Sequence, residues 1–380
     1  MATADPRRRL IYLACPWAPL GGGMFKVSDY LVQYQALAPE DAELRPLDTR
    51  GGGHVLLSLY YLPRAMMVLL WQRLTGRLAG VHVNMAERAS TVRKGLLVVF
   101  ARLIGAPVLI HLHSAELHRL FRAWPSAAQA LLRWVFSLAD EVLVLGQQSR
   151  SFVLDELRCR PERVYAVLNG VPEATRPRRP DLPHHVFRVL FLGNLSARKG
   201  VSELLQALAS LPGGGERWHA VIAGGGDVEG FRAEATRRGL GSNVEFFGWA
   251  RQDQAAELLA AADVLVLPSY DEGLPLVILE ALANGVAVVC TPVGEIPSTL
   301  GDGKEAIFVA PRDAAALAQA LARLIEEPAL RQALELQGRA FYERGFSIEA
   351  FFNAVATIHQ RVFGIRARFD ARGSGRGHGS

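Results

Sequence analysis

Short apolar runs alternate with longer segments of helical periodicity along most of the chain. Before residue 170, the runs predicted to be strands are Leu10–Cys15, Val81–Val83, Val108–His111, Val142–Leu145 and Val164–Leu168. After residue 186, they are Phe187–Leu192, Ala220–Ala223, Val244–Phe247, Val264–Leu267 and Ala287–Cys290. Helical patterns such as Met24–Leu37, Thr91–Leu103 and Leu276–Ala283 separate them. Strands connected by helices predict parallel sheets covered on both faces, as in Rossmann-like α/β domains.

A proline-rich segment divides this pattern into two halves. Residues 172–183 include four prolines and three arginines, a composition that disfavours helix and strand and is typical of a link between domains. A length of 380 residues also favours two domains over one. We predict two doubly wound parallel-sheet domains facing a central cleft, over residues 1–175 and 176–345. A helix over 346–365 is expected to return to the first domain, before a disordered tail over 366–380.

Composition narrows the class of protein. Half of the residues are apolar and 21% are charged, which excludes a mostly disordered chain. The cysteines Cys15, Cys159 and Cys290 are far apart, so we expect a reduced, cytoplasmic protein without a disulfide scaffold or zinc site. The sequence contains no run of 18 consecutive apolar residues, so we expect no membrane-spanning helix. Residues 1–19 lack the pattern of a signal peptide.

Positive charge is concentrated in the first half. Residues 1–180 contain 23 Lys and Arg against 14 Asp and Glu, whereas residues 181–380 contain 19 against 23. This suits an acidic ligand or a membrane surface. Two apolar segments with cations at their edges, Leu56–Leu74 and Arg93–Ile104, are interpreted first as buried crossover helices. The alternative is a peripheral face on the inner side of the cytoplasmic membrane.

The densest polar loop follows the predicted strand Val264–Leu267. Glu272 lies in this loop, and Glu280 lies inside the apolar helix that follows. Gly273 precedes the N-terminus of that helix, where free N–H groups and the helix dipole suit phosphate. Carboxylates at this place can accept hydrogen bonds from the hydroxyl groups of a sugar or a ribose.

A second candidate loop, Gly193–Gly200, follows the predicted strand Phe187–Leu192. Arg198 and Lys199 stand just before a helix and could bind a diphosphate, Arg through its fork and Lys as a point charge. By itself, the pair would be interpreted as an ordinary charged loop before a helix.

Together these loops resemble the family 4 retaining glycosyltransferases of the GT-B fold. Glu272 and Glu280 reproduce the E-x7-E motif of that family. The segment Gly193–Gly200 is similar to its G-R-L-x-x-x-K-G segment, except that Asn194 replaces the Arg. The segment Val244–Gly248 is similar to its base-side loop, and the resemblance extends over residues 10–365.

The resemblance implies roles for individual residues. The candidates for contacting the nucleotide-sugar are Gly22, Gly23, Arg198, Lys199, Phe247, Gly248, Gly273, Leu274 and Glu280. Glu272 would contact the donor sugar, Glu280 the ribose, and Lys199 the leaving diphosphate, where charge develops. His113, after the predicted strand Val108–His111, would lie near the donor sugar, with Glu116 as a weaker candidate. We therefore name His113, Glu272 and Lys199 as catalytic.

We expect neither a metal nor another cofactor. The nearby His111, His113, Glu116 and His118 make a metal cluster conceivable, but the chain contains no D-x-D sequence. The family it resembles is also metal-independent.

The sequence thus predicts a retaining glycosyltransferase that moves a hexose from a nucleotide-sugar to a lipid-linked or glycan acceptor in polysaccharide biosynthesis. The donor we favour is GDP-mannose. The alternatives are a UDP-hexose-dependent transferase with a soluble acceptor, a nucleotide-sugar epimerase and a non-catalytic binding protein. A dinucleotide-dependent oxidoreductase would need a G-x-G-x-x-G fingerprint, which is missing. No nucleic-acid partner is expected.

Overall fold

The computed structural model describes residues 8–17, 22–37, 42–52, 55–114, 116–174, 186–213 and 216–365. The described residues form two compact units. One consists of the residues before Val171 together with those from Ile348 onward, and the other runs from Val171 to Ser347. Most of the proline-rich segment and the tail predicted over 366–380 lie outside the described residues.

The first unit begins with alternating strands and helices. Its strands are β1 (Arg9–Cys15), β2 (Ala42–Asp48), β3 (Leu78–Met85), β4 (Val108–Leu112), β5 (Glu141–Val144) and β6 (Val164–Ala166). Its helices up to this point are α1 (Gly22–Leu37), α2 (Ser58–Leu74), α3 (Ala89–Leu103), α4 (Leu117–Ala123), α5 (Ser126–Ser137) and α6 (Gln147–Ser151).

The second unit repeats the alternation. Its strands are β7 (Phe187–Leu192), β8 (Trp218–Ala223), β9 (Val244–Gly248), β10 (Val264–Leu267), β11 (Ala287–Cys290) and β12 (Ile307–Phe308). Its helices are α7 (Val201–Ala209), α8 (Val228–Arg237), α9 (Gln252–Ala261), α10 (Leu276–Ala283), α11 (Ile296–Thr299), α12 (Ala314–Glu326) and α13 (Pro328–Gly345). The last described helix, α14 (Ile348–Phe363), belongs to the first unit.

Within the described residues, each unit contains one six-stranded sheet in which every strand pair is parallel. The orders are β2-β1-β3-β4-β5-β6 and β12-β11-β10-β7-β8-β9. The strand order reverses between β1 and β3 in the first sheet and between β7 and β10 in the second. Ligands bind at such switch points, outside the carboxyl ends of the strands. The predicted α/β class with two doubly wound sheets is confirmed.

The strands are buried on both faces, as crossover helices require. Every residue of β3, β4, β10 and β11 is buried, which explains their continuous apolar character. β2 was missed by the sequence pattern because Pro46 interrupts it. Its position at the edge of the sheet resolves the conflict, since an edge strand tolerates proline.

The interpretation of Leu56–Leu74 as a buried crossover helix is wrong. On α2 only Ala65 and Leu69 are buried. Five large apolar side chains on this helix are between 64% and 77% exposed, namely Leu59, Tyr60, Met67, Trp71 and Leu74. α2 therefore presents a broad apolar face to solvent, which is unusual for a helix of a soluble domain. Nevertheless, none of the helices in the described ranges is long and apolar enough to span a bilayer.

Helix α14 packs on the first sheet through a close approach to β3. A side chain on Gly80 would lie 2.2 Å from ring carbons of Phe363, so only glycine lets this helix come so near. The contact brings His359 of α14 to the buried part of β3, where it meets His82.

Candidate functional site

The loops after β7 and β10 meet at the switch point of the second sheet. Lys199 follows β7 and Glu272 follows β10, and the Lys199 ammonium donates a hydrogen bond to Glu272 Oε1. Both side chains are largely buried, with 14% and 9% of their surfaces exposed. The two residues predicted to be catalytic in this unit are therefore in direct contact.

The loop that carries Glu272 is held by backbone contacts that require glycine at two positions. Gly200 has a φ of +69°, and a Cβ there would lie 2.0 Å from the carbonyl oxygen of Pro268. Gly294 has a φ of +60°, and a Cβ there would lie 1.8 Å from the carbonyl oxygen of Glu272. These close approaches fix the backbone on both sides of the glutamate.

Arg198 supports the same loop rather than projecting freely. Its Nη1 donates to the carbonyl oxygen of Asp271 at 2.6 Å, and its own carbonyl oxygen accepts from the Tyr270 N–H at 2.8 Å. Tyr270 in turn donates its hydroxyl to Glu203 Oε1, and the guanidinium of Arg312 lies 4.8 Å above its ring. Burial, followed by the hydrogen bond to Glu203, raises the pKa of the Tyr270 phenol.

Glu280 is buried in α10, with 8% of its surface exposed. A solvated helix position, the simplest alternative reading of this residue, does not describe it. The helix begins at Leu276, with Pro275 as the residue before its first turn. Leu274 is buried, and Gly273 is anchored through its carbonyl oxygen, which accepts from the Glu295 N–H at 3.1 Å.

The predicted base-side residues, Phe247 and Gly248, lie at the end of β9. The Gly248 carbonyl oxygen accepts from the Gly224 N–H at 2.7 Å, which joins the loops after β8 and β9. The neighbouring Trp249 is 46% exposed and packs 3.4 Å from the position of a Cβ on Gly225. Sequence reasoning missed Trp249, although a large aromatic residue directly after a strand was a visible signal for a stacking surface.

Asn194, which replaces the Arg of the resembling family, is exposed at the end of β7. Its Oδ1 lies 3.1 Å from the position of a Cβ on Gly226. The residue thus lies beside the loop after β8, at the same edge of the sheet as Lys199.

In the first unit, His113 directly follows β4. Its Nε2 lies 2.8 Å from Oδ1 of Asn84, a fully buried residue of β3. Its ring lies against that of His111, with centroids 3.9 Å apart and the ring planes tilted by 39°. Nδ1 of His111 lies 3.3 Å from Nε2 of His82. Nδ1 of His82 lies 2.9 Å from Nε2 of His359.

These four imidazoles form a continuous row, His113–His111–His82–His359, which we call the histidine row. His113 is half-buried, and the other three are buried. Burial lowers the pKa of His113 and of His359 to about 3. The pKa values of His82 and His111 are also far below the ordinary range, because both are fully buried and neighbour other histidines. All four are therefore neutral at pH 7.

The remaining sequence candidates of the first unit lie at the starts of helices, Gly22 and Gly23 at the start of α1 and Glu116 just before α4. Gly22 begins α1 with a φ of +64°, and neither it nor Gly23 would meet another atom if it carried a side chain. Glu116 pairs with Arg88 at 3.2 Å. Among the described residues, no group of His, Cys, Asp and Glu is arranged to hold a metal ion.

The structure thus groups the candidates by unit. The second unit brings together Lys199 and Glu272, with Arg198 on the same loop, whereas His113, Gly22 and Gly23 belong to the first. Glu280, Phe247 and Gly248 lie on elements that end or begin at the same edge of the second sheet.

Comparisons with known proteins agree with this architecture. Residues 174–341 match the family model described as Glycosyl transferases group 1. The 2-deoxystreptamine glucosyltransferase of Streptomyces kanamyceticus is 26% identical over 291 residues, covering 70% of this chain and 73% of that protein.

Two solved structures show the same fold. Sucrose-phosphate synthase from Thermosynechococcus elongatus superposes with a TM-score of 0.78 at 21% identity, covering 94% of this chain and 100% of that one. Anabaena HepE in complex with UDP-glucose superposes with a TM-score of 0.71 at 17% identity, covering 93% and 99%. The second unit is thus similar to group 1 glycosyl transferases, and the chain is a glycosyltransferase with the GT-B fold.

Proposed function

We propose that the chain is a retaining, metal-independent glycosyltransferase of the family 4 type that moves a hexosyl group from a nucleotide-sugar to a hydroxyl acceptor. The observation that carries this proposal is the contact between Lys199 and Glu272 at the switch point of the second sheet. A cation and a carboxylate held side by side match the two ends of a sugar diphosphate, one anionic and one rich in hydroxyl groups.

Donor binding would exchange the partners of this ion pair. A diphosphate oxygen takes over the Lys199 ammonium, which frees the Glu272 carboxylate to accept hydrogen bonds from sugar hydroxyl groups. Glu280, buried in the following helix, is assigned to the ribose hydroxyl groups. Lys199, helped by Arg198, supplies the positive charge that stabilises the leaving diphosphate, and the proposal that no metal is needed rests on these two cations.

In the transfer step, the acceptor oxygen forms a bond to the anomeric carbon while the bond from that carbon to the diphosphate oxygen breaks. The acceptor proton passes to a phosphate oxygen of the departing nucleoside diphosphate, so no protein base is required. The roles of His113 beside the sugar and of Gly22 and Gly23 beside the donor phosphate rest on the family resemblance alone.

The leading donor candidates are a UDP-hexose and GDP-mannose. HepE, which shares this fold, was crystallised with UDP-glucose, whereas the sequence favoured GDP-mannose. A panel of UDP-, GDP- and ADP-hexoses, with thermal stabilisation and donor hydrolysis as readouts, decides between them. If no nucleotide-sugar stabilises the protein or is turned over, the proposed function is wrong.

We further propose that the first unit meets an anionic membrane surface, where a lipid-linked acceptor would be found. The apolar face of α2, defined by Leu59, Tyr60, Met67, Trp71 and Leu74, is accompanied by the exposed cations Arg64 and Arg73. Apolar side chains with cations beside them fit the boundary between acyl chains and acidic headgroups. The positive balance of residues 1–180 supports the same partner, and a cytoplasmic location on the inner face of the membrane is part of this proposal.

A further inference from the structure

A group of cationic and polar side chains is buried at the switch point of the first sheet. Cys15 and Asp48 are register partners at the carboxyl ends of β1 and β2. Thr49 follows β2, and Arg93 and Lys94 lie near the start of α3, which follows β3. Because β1 lies between β2 and β3 in the sheet, these segments converge at the edge where doubly wound sheets bind their ligands.

Three of these side chains carry polar atoms that have no partner among the described residues. Lys94 is fully buried, and its Nζ makes no hydrogen bond within the part of the chain that the structure describes. The same holds for Nε of Arg93, which is 6% exposed, and for Oγ1 of the fully buried Thr49. A buried ammonium without a partner is costly, because it has lost its water and gained nothing in return.

The surrounding charge does not compensate for these cations. Arg50 is the positive charge that acts on Arg93, and Arg93 is the positive charge that acts on Lys94. On the negative side, Asp48 acts on both cations and the Cys15 thiol acts on Lys94. Oδ1 of Asp48 already accepts the N–H groups of Trp17, Arg50 and Gly51 at 3.3, 2.9 and 3.0 Å. Burial first, and the charge of Arg93 in addition, lower the pKa of Lys94 to about 7, which shows how poorly the site balances its own charge.

We propose that Lys94, Arg93 and Thr49 form a phosphate site in the first unit, which binds a phosphoryl group of the acceptor. The phosphate site itself is inferred from buried polar atoms that have no partner among the described residues. Only the assignment of its ligand to the acceptor rests on the proposed function. An ammonium, a guanidinium and a hydroxyl are the donor set that proteins use for phosphate, and an anion of charge near −2 would balance the excess of cations. The phosphoryl group could belong to a soluble sugar phosphate or to a lipid phosphate, and the chemistry at the site is the same.

The test measures phosphate binding by the full chain, with inorganic phosphate as the probe at constant ionic strength. We expect wild type to bind phosphate, and Lys94→Met to weaken that binding about tenfold or more, as expected for the loss of a charged hydrogen bond. Arg102→Met removes an exposed cation from the same helix and serves as the matched control that leaves binding unchanged. Lys199→Ala tests the second unit as the source of the signal, and the variant should retain the phosphate site.

Stability provides a second readout that a structural role would not reproduce. Because the Lys94 ammonium makes no hydrogen bond to any residue that the structure describes, replacing Lys94 with Met should leave the melting temperature unchanged or raise it in the absence of phosphate. If Lys94→Met does not fold, Lys94 is a structural residue and the proposal is overturned for that residue. The variants Arg93→Gln and Thr49→Val then test whether the phosphate site exists without Lys94. Equal phosphate affinity in wild type, Lys94→Met and Arg93→Gln overturns the proposal, as does loss of binding in Lys199→Ala alone.

Two further ligands identify the source of the phosphoryl group. A soluble hexose phosphate and a polyprenyl phosphate in neutral vesicles are each tested for competition with inorganic phosphate in wild type. Competition by either one assigns the acceptor class, and competition by neither overturns the link to an acceptor. Nucleotide-sugar binding is measured in the same variants, so phosphate binding without any donor binding refutes the proposed function and leaves the phosphate site in place.

Discussion

His82 Nδ1 lies 2.9 Å from Nε2 of His359, so a buried contact joins the third strand of the first unit to its last helix. The other ring nitrogen of His82 faces His111 at 3.3 Å. A neutral imidazole donates once and accepts once, so each contact of His82 can be a hydrogen bond while the three rings are neutral. An added proton would place a positive charge among buried rings, and burial disfavours the charged form.

The first unit should therefore lose stability in acid. The folded-state pKa of His359 is about 3, whereas an unfolded histidine has a pKa of about 6.5. Between these values the unfolded chain binds more protons, so the free energy of unfolding falls as pH decreases from about 6.5 to about 3. Each such histidine contributes up to about 1.4 kcal/mol per pH unit, which denaturant unfolding at a series of pH values measures.

The variant His359→Gln isolates one member of the row. Glutamine keeps a donor and an acceptor for His82 but does not titrate, so the pH dependence should decrease by about one proton. His219→Gln, in the second unit, is the control and should leave the dependence of the first unit unchanged. An unaltered slope in His359→Gln would show that the row does not govern acid stability.

Gly200→Ala should lower the free energy of unfolding by more than the cost of its left-handed backbone conformation alone. Gly239 has a φ of +75°, close to the +69° of Gly200, but a Cβ there would meet nothing. We expect Gly239→Ala to cost about 1 kcal/mol for the left-handed backbone, and Gly200→Ala to cost about 1–3 kcal/mol more through its clash with Pro268. Donor affinity should fall only in Gly200→Ala, because only that substitution displaces the loop of Glu272. Equal losses of unfolding free energy would contradict this.

The ion pair of Lys199 and Glu272 should show strong coupling in a double-mutant cycle. Lys199→Met leaves a buried carboxylate without its cation, and Glu272→Gln leaves the ammonium without its anion, so each single variant should be destabilised. The double variant should lose less than the sum, with an interaction of about 1–3 kcal/mol. Additive losses would mean that the two side chains do not interact in solution.

Glu280→Gln should weaken nucleotide binding about tenfold or more, as expected for the loss of a charged hydrogen bond. Isothermal titration with the nucleoside diphosphate alone measures this without contributions from the sugar. Glu326→Gln, an exposed carboxylate of the same unit, is the matched control. Unchanged affinity in Glu280→Gln would remove Glu280 from the nucleotide site.

Trp71→Glu should abolish binding to anionic vesicles at low salt while leaving thermal stability nearly unchanged, because Trp71 is exposed. Leu336→Glu is the control, since Leu336 is an exposed apolar residue of the second unit, 66% accessible. Vesicle flotation gives the readout, and neutral vesicles should bind neither protein. If wild type ignores anionic vesicles, the apolar face of α2 has another purpose.

Much of the fold was predictable because it depends on local pattern. Ten of the twelve strands in the described residues coincide with predicted apolar runs. Strand β2 was not predicted, because Pro46 interrupts its pattern. The order of strands was not predictable, since hydrogen bonding between β7 and β10 joins residues 75 positions apart. The exposure of Trp249 was not predictable either, because it depends on how the loop after β8 packs against its ring.

By itself, the sequence determined the alternation of strands and helices, the two α/β units and the loops that bear Glu272 and Lys199, because these follow from periodicity and neighbouring residues. Tertiary structure decided which loops meet. It placed Lys199 against Glu272, turned α2 outward, and buried Lys94, which the sequence showed only as a cation at the edge of an apolar segment. Burial and pairing are set by contacts between residues distant in the chain, and the local sequence pattern does not predict these contacts.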